Sequence, residues 1–149
     1  MLLVGAIITT LIAGTLSDKY GRKLIVYISG ALMGVVCLVF VLFHNFTLVV
    51  FMGIIFGLGY GAYNSVDWAL ASDVLPSMDD YAKDMGVWHV AMVLPQIIAT
   101  PIAGFMLDRL QVVGKAQSIP NLGYTTIFLV AVVYFALGTV FVKQIKKVR

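Results

Sequence analysis

Three polar side chains interrupt one apolar stretch of the sequence at a spacing that suits a helix. Tyr60, Asn64 and Asp67 stand at positions i, i+4 and i+7, which are neighbours on one helical face. A carboxylate there can take up a proton or a cation, and hydroxyl and amide groups can hydrogen-bond a polar solute. Polar groups at membrane depth usually face a bundle interior or a watery cavity. These residues are therefore candidates for substrate binding or ion coupling.

A second polar set lies in the next apolar stretch, MGVWHVAMVLPQIIATPIAGFML. His89 and Gln96 are seven residues apart and so share a helical face. Pro95 and Pro101 each remove a helical hydrogen bond, so we expect the helix to bend or loosen there. Both polar sets predict that these two stretches line a shared cavity, with Asp67 and His89 as its ionisable candidates.

A plainer role is open to each of these residues. His89 stands one turn into its stretch and Asp67 follows the end of its own, so both fit a position near the membrane interface. Asn64 and Gln96 fit hydrogen bonding between helices. The two tryptophans of this region are typical of interface belts or helix packing.

The sequence offers no constellation typical of an enzyme or a cofactor site. It has no nucleophile with an adjacent base and no cluster with metal-ligand spacing. Its single cysteine, Cys37, lies inside an apolar run, has no partner for a disulfide, and is typical of a small buried apolar residue. We therefore predict neither an enzyme nor a bound cofactor.

The composition indicates that the solvent for this chain is a bilayer. Hydrophobic residues make up 61% and charged residues 11% of its 149 positions, whereas a soluble domain averages about 45–50% apolar residues. The formal net charge of +3 comes from a basic tail, so it does not indicate nucleic-acid binding.

Five segments lack Asp, Glu, Lys and Arg: 1–16, 24–43, 46–66, 85–107 and 123–142. Helix is the form that satisfies the backbone of a single span in lipid. The sequence therefore predicts an all-α membrane protein with five transmembrane helices in one domain, 1–149. The first segment is short for a span, so we interpret it as one whose beginning is missing or that continues into the following charged residues.

Basic residues predict the orientation of these spans. If the spans alternate, eight of the ten Lys and Arg residues share one side: three in 17–23, one in 67–84 and four in 143–149. The side with more Lys and Arg is usually cytoplasmic, so we expect a cytoplasmic C-terminus. The segment 67–84 also carries five Asp residues, which makes ion pairs with the basic 17–23 segment possible, although exposed pairs are weak.

Small and polar residues divide the spans into two kinds. Spans 24–43 and 123–142 carry few polar groups, so we expect them to face lipid. Gly53, Gly57 and Gly61 form a GxxxGxxxG stripe that allows close helix approach, either as static packing or as a sliding contact.

A dense charge cluster, GTLSDKYGRK, separates the first two spans. It resembles the G-x-L-x-D-x-x-G-R-K/R loop signature of the major facilitator superfamily, and the matching residues are Gly14, Leu16, Asp18, Gly21, Arg22 and Lys23. The two glycines permit a tight turn. Asp18 and Arg22 are four apart and can pair.

The resemblance implies a conformational latch. In this family the signature Asp approaches a helix N-terminus of the opposite half of the carrier, where the helix dipole favours an anion, and so holds one gate closed. Family members have twelve spans in two halves. The resemblance places this chain in the second six-helix bundle, with the N-terminal half as its missing partner. A simple topological anchor is the alternative role for the cluster.

A narrower resemblance concerns residues 83–108, which are similar to the eleventh-span region of sucrose-type glycoside transporters. Gly86, Ala91, Pro95 and Gln96 match its G-x-x-N-x-A-x-x-x-P-Q pattern, while His89 stands where Asn is common. The resemblance implies a secondary active transporter in the plasma or inner membrane that moves a small solute, a sugar in this branch, with proton or cation symport. A drug or metabolite efflux carrier and a small membrane scaffold without transport are the alternatives.

Overall fold

The structure, a computed structural model, describes residues 1–43, 45–74 and 80–143. These residues form five α-helices: α1 Leu2–Tyr20, α2 Arg22–Leu42, α3 Phe46–Val74, α4 Tyr81–Ala116 and α5 Leu122–Val142. All five are long and apolar enough to cross a membrane. The predicted fold class, an all-α membrane protein with five spans, is confirmed. The basic tail beyond residue 143 and the 75–79 link, with Asp79, lie outside the described residues.

Helices α3 and α4 continue well past the apolar segments that predicted them. Asp67 and Asp73 lie inside α3, and Asp84 lies in the first turn of α4, so residues 67–74 and 81–84 of the acidic segment are helical. Helix α4 has 36 residues. At 1.5 Å per residue this is about 54 Å, more than the ~30 Å hydrocarbon core. It stays α-helical through Pro95 and Pro101, as membrane helices often do.

A single residue, Gly21, separates α1 from α2. Its φ of 98° is a conformation that strains residues with a Cβ, so glycine at this turn has a direct structural reason. The prediction that Gly14 also serves the turn is wrong, because Gly14 lies within α1. A Cβ there would stand 3.4 Å from the Ser65 hydroxyl, an ordinary van der Waals distance, so Gly14 faces α3.

Helix α2 is central to the bundle and contacts α1, α3 and α5. Only one stripe of this helix is available to face lipid as predicted, and it includes Ile28 and Val35, both more than half exposed. The opposite face consists of small and aliphatic residues and is buried against the neighbouring helices. Its buried residues are Ile25, Val26, Ser29, Gly30, Met33, Gly34, Val36 and Cys37.

Glycines bring α1 and α3 into close contact. A Cβ on Gly57 would collide with the backbone of Leu2, and one on Gly61 would collide with that of Ala6. The hydroxyl of Thr10 donates to the carbonyl of Gly61 at 3.3 Å. Gly53, the third member of the stripe, faces open space. Two of the three glycines are therefore packing residues.

Candidate gating and substrate site

Arg22, the first residue of α2, contacts carboxylates from two other helices. Its Nε donates to Oδ2 of Asp73 at 2.9 Å, and its Nη2 lies 3.5 Å from Oδ1 of Asp18. Asp18 belongs to the last turn of α1, and Asp73 belongs to the last turn of α3. We call these three residues the Arg22 junction. The pairing of Asp18 with Arg22 that the spacing predicted is present, and an ion pair with the acidic segment joins it.

The short link between α1 and α2 creates this geometry. The N–H of Gly21 donates to the carbonyl of Ser17 at 2.9 Å, so α1 remains regular up to the break. The hydroxyl of Ser17 is buried and donates to the carbonyl of Gly14 at 2.7 Å. Because the break is one residue long, Asp18 and Arg22 remain about one turn apart.

Burial makes Asp73 the stronger partner in the Arg22 junction. The Arg22 side chain is 21% exposed, whereas those of Asp73 and Asp18 are 40% and 68% exposed. Screening by water weakens the exposed Asp18 pair, while the Asp73 pair combines a short distance with a charge-assisted hydrogen bond. Nη1 of Arg22 is buried and has no hydrogen-bond partner among the described residues, so the guanidinium depends on its two acids. Both carboxylates also lie near the positive end of the α2 dipole.

A second contact joins the end of α3 to the start of α4. The Trp68 ring meets the Trp88 ring edge-on, with centroids 4.5 Å apart, and the His89 ring lies 6.1 Å from Trp68. The hydroxyls of Ser72 and Tyr81 are 3.1 Å apart. We call Trp68, Trp88 and His89 the aromatic junction. Beyond this region α4 packs on α5.

The predicted substrate residues are only partly brought together. Asn64 and Asp67 are half-buried on α3, while Tyr60 is 44% exposed. The ring of His89 lies near α3, because it is close to the ring of Trp68. Trp68 directly follows Asp67 in the sequence. Gln96 lies on the exposed part of α4. Within the described part of the chain, no hydrogen bond joins its side chain to α3. A cavity shared by all of these residues remains a prediction.

Two contacts were beyond sequence reasoning at the level of individual residues. The sequence predicted an ion pair between the acidic segment and the basic cluster. It could not predict which of the five Asp residues forms it. Asp73 forms the pair because α3 extends far enough to bring this residue to Arg22. The edge-on contact of Trp68 with Trp88 had only composition as a signal, since their relative placement depends on how α3 and α4 meet.

Comparison with known proteins places this geometry in a family. The family model of the Major Facilitator Superfamily matches residues 1–147. The chain is 34% identical over 95 residues to the quinolone resistance protein NorA of Staphylococcus aureus, an alignment that covers 64% of this chain and 24% of NorA. It is 31% identical over 93 residues to an uncharacterized transporter of the same superfamily, MJ1317 of Methanocaldococcus jannaschii, covering 62% of this chain and 23% of that protein. The matched stretch thus spans about a quarter of the length of these relatives.

Proposed function

Since this chain belongs to the Major Facilitator Superfamily, we propose that it is part of a secondary active transporter that moves a small solute by alternating access. The single observation that supports this most strongly is the Arg22 junction, at which the signature residues Asp18 and Arg22 meet a third charge, Asp73. These ion pairs join three helix ends at a one-residue turn, where a gating contact can respond to the movement of any of the three helices.

The Arg22 junction acts as the latch of the cytoplasmic gate. Asp73 holds the guanidinium of Arg22 at 2.9 Å, and Arg22 in turn orients Asp18. Because Asp18 is 68% exposed and its own pair is 3.5 Å long, its carboxylate is free to engage a helix N-terminus of the missing N-terminal half. Gly21, Lys23 and Gly14 complete the gating motif. Gly21 allows the tight turn, Lys23 adds a positive charge to it, and Gly14 faces α3. The C-terminus is on the same, cytoplasmic side of a plasma or inner membrane.

The solute site lies between the two halves, near the midplane, as in other transporters of this architecture. On this chain it is formed by α3 and α4. Asp67 is the proton or cation site, and His89 is the second ionisable group. Tyr60, Asn64 and Gln96 hydrogen-bond the solute. The largely exposed surface of α4, which includes Ile97 at 63% exposure, faces the missing half of the carrier and lipid.

Two substrate classes follow from two different observations. The residue pattern of 83–108 favours a sugar carried by symport with a proton or cation. The 34% identity to NorA favours efflux of a drug or metabolite. A small membrane scaffold without transport is the alternative of a different class.

One experiment separates these functions. The gene is read upstream of the codon for Met1, and the complete carrier is reconstituted in liposomes with an imposed pH gradient. Influx of a labelled disaccharide and extrusion of a fluoroquinolone are then measured, with Asp67→Asn and the exposed control Asp108→Asn alongside. We expect gradient-driven flux of one class that Asp67→Asn uncouples and Asp108→Asn preserves. A sequence without further spans upstream, together with no flux of either class, would contradict the proposed transport of these solutes and favour the scaffold alternative.

A further inference from the structure

An aromatic cavity lies between three helix ends, on the side of the bundle opposite the Arg22 junction. Its volume is about 300 Å³, at the lower end of the range for small-molecule sites. The end of α2, the start of α3 and the start of α5 form its walls. The side chains around it include Phe40, Phe43, Phe46, Asn121, Tyr124 and Phe128.

The position of this aromatic cavity gives it access to the bilayer. Phe40 and Phe128 pack together, with ring centroids 5.1 Å apart, and make a fixed apolar wall. Phe43 and Phe46 are 54% and 81% exposed at the ends of membrane-spanning helices, where aromatic side chains meet the headgroup region. A hydrocarbon chain of the surrounding lipid can therefore enter from the side without leaving an apolar medium.

A second cavity of about 500 Å³, which we call the Lys115 cavity, shares Asn121 with the aromatic cavity. The loop between α4 and α5 forms it, with Lys115 and Ser118 among its walls. Two hydrogen bonds close the loop: Gln111 accepts one from the N–H of Gly123 at 3.3 Å, and the N–H of Ile119 donates one to the carbonyl of Gly114 at 2.8 Å. Lys115 supplies the positive charge of this cavity.

We propose that the two cavities together bind one anionic phospholipid of the leaflet at this end of the bundle. The acyl chain lies against Phe40, Phe46 and Phe128, and the phosphate lies beside Lys115, with Asn121 at the junction between them. A free anion would need only the Lys115 cavity, and a neutral hydrocarbon only the aromatic one. An apolar cavity that meets a cationic one at the membrane boundary fits an anionic amphiphile, which the bilayer itself supplies at high local concentration.

The test is native mass spectrometry of the full chain, released from detergent in the presence of phosphatidylglycerol or phosphatidylcholine. We expect the unmodified chain to retain one phosphatidylglycerol in preference to phosphatidylcholine. Lys115→Gln should reduce that preference by up to about fivefold, the effect expected for the loss of one exposed ion pair. Phe128→Ala and the exposed substitution Phe46→Ala should weaken retention of both lipids.

Matched controls separate a defined site from general lipid contact. Lys19→Gln removes an exposed cation near the Arg22 junction, and Phe141→Ala removes an exposed ring from the other end of α5; neither should alter retention. Phe46 lies on the surface, so we expect Phe46→Ala to fold normally. It therefore tests the aromatic cavity even if Phe128→Ala does not fold. The proposal is overturned if the controls lose as much lipid as the cavity variants, or if Lys115→Gln keeps the preference. It is also overturned if inorganic phosphate alone displaces the lipid and binds equally to Phe46→Ala.

Discussion

The Nε atom of Arg22 donates a 2.9 Å hydrogen bond to Oδ2 of Asp73, so the first residue of α2 is held by the last turn of α3. A local pair of Asp18 with Arg22 alone would stabilise only the turn between two consecutive helices. The link to Asp73 adds a third helix and couples the turn to the helix that carries Tyr60, Asn64 and Asp67. A movement of the end of α3 would therefore displace Arg22 and the turn at Gly21.

Loss of the Asp73 carboxylate should destabilise the bundle more than loss of the Asp18 carboxylate. Asp73→Asn leaves a largely buried guanidinium with one weak partner, so we expect a cost of about 1–3 kcal/mol, as for other hydrogen bonds to charged groups. Asp18→Asn removes an exposed 3.5 Å pair and should cost at most ~1 kcal/mol. Thermal unfolding in detergent, followed by tryptophan fluorescence, measures both.

The control for these two variants is Asp108→Asn, which changes an exposed aspartate of α4 that has no ion pair among the described residues. Its unfolding temperature should match that of the unmodified chain. Equal losses for Asp18→Asn and Asp73→Asn would mean that the short distance to Asp73 carries no extra stability.

Replacement of Gly21 by alanine should strain the turn between α1 and α2. The φ of 98° places a Cβ in an unfavourable region, at a cost of about 1–3 kcal/mol. Gly138→Ala is the matched control, since Gly138 is helical and an added methyl group would meet nothing within 4 Å. The two variants are compared by thermal unfolding. A Gly21→Ala chain as stable as Gly138→Ala would show that the turn tolerates another conformation.

Replacement of Gly57 by alanine should push α1 away from α3. The new methyl group would meet the backbone of Leu2, which cannot rotate away as a side chain can, and overpacking typically costs about 1–3 kcal/mol. Gly53→Ala, one turn earlier on α3 and in open space, should be neutral or slightly stabilising. Unfolding temperatures of the two variants give the comparison. A larger loss for Gly53→Ala would contradict the α1–α3 packing.

The predicted orientation is tested by cysteine labelling in a Cys37→Ala background. Lys19 and Ala116 are both exposed and lie near opposite ends of the bundle. A membrane-impermeant maleimide should label Ala116→Cys in intact cells and Lys19→Cys only after permeabilisation, because eight of the ten basic residues share the side of Lys19. Labelling of Lys19→Cys in intact cells would reverse the topology.

The sequence predicts the helices well because a bilayer imposes a simple rule: uncharged segments of sufficient length become helices. It predicts their ends less well. Asp73 and Asp84 look like loop residues by charge, but helices extend beyond the hydrocarbon core wherever backbone hydrogen bonds and neighbouring contacts sustain them. Helix α4 therefore continues to Ala116, and α3 continues far enough to carry Asp73 to Arg22.

The candidate site was predictable only as far as local spacing decides it. Asp18 and Arg22 pair because four residues separate them, and Gly57 packs because small residues mark close helix contacts. The prediction that Gly14 serves the turn was wrong, because a glycine can stand in a turn or inside a helix, and α1 continues through Gly14 to Tyr20. Whether Gln96 meets Asn64 depends on the distance between α3 and α4 along their length, which no local pattern encodes.

The most direct test of the latch is the initial rate of solute transport by the complete carrier with Asp18→Asn, compared with Asp108→Asn at equal amounts of carrier in the membrane. If Asp18 contributes ~1.4 kcal/mol to the step that the latch controls, its loss changes the rate about tenfold. We predict a fall of that size for Asp18→Asn, with expression and stability close to normal, and an unchanged rate for Asp108→Asn. An unchanged rate for Asp18→Asn would contradict the latch and reduce the Arg22 junction to a structural anchor.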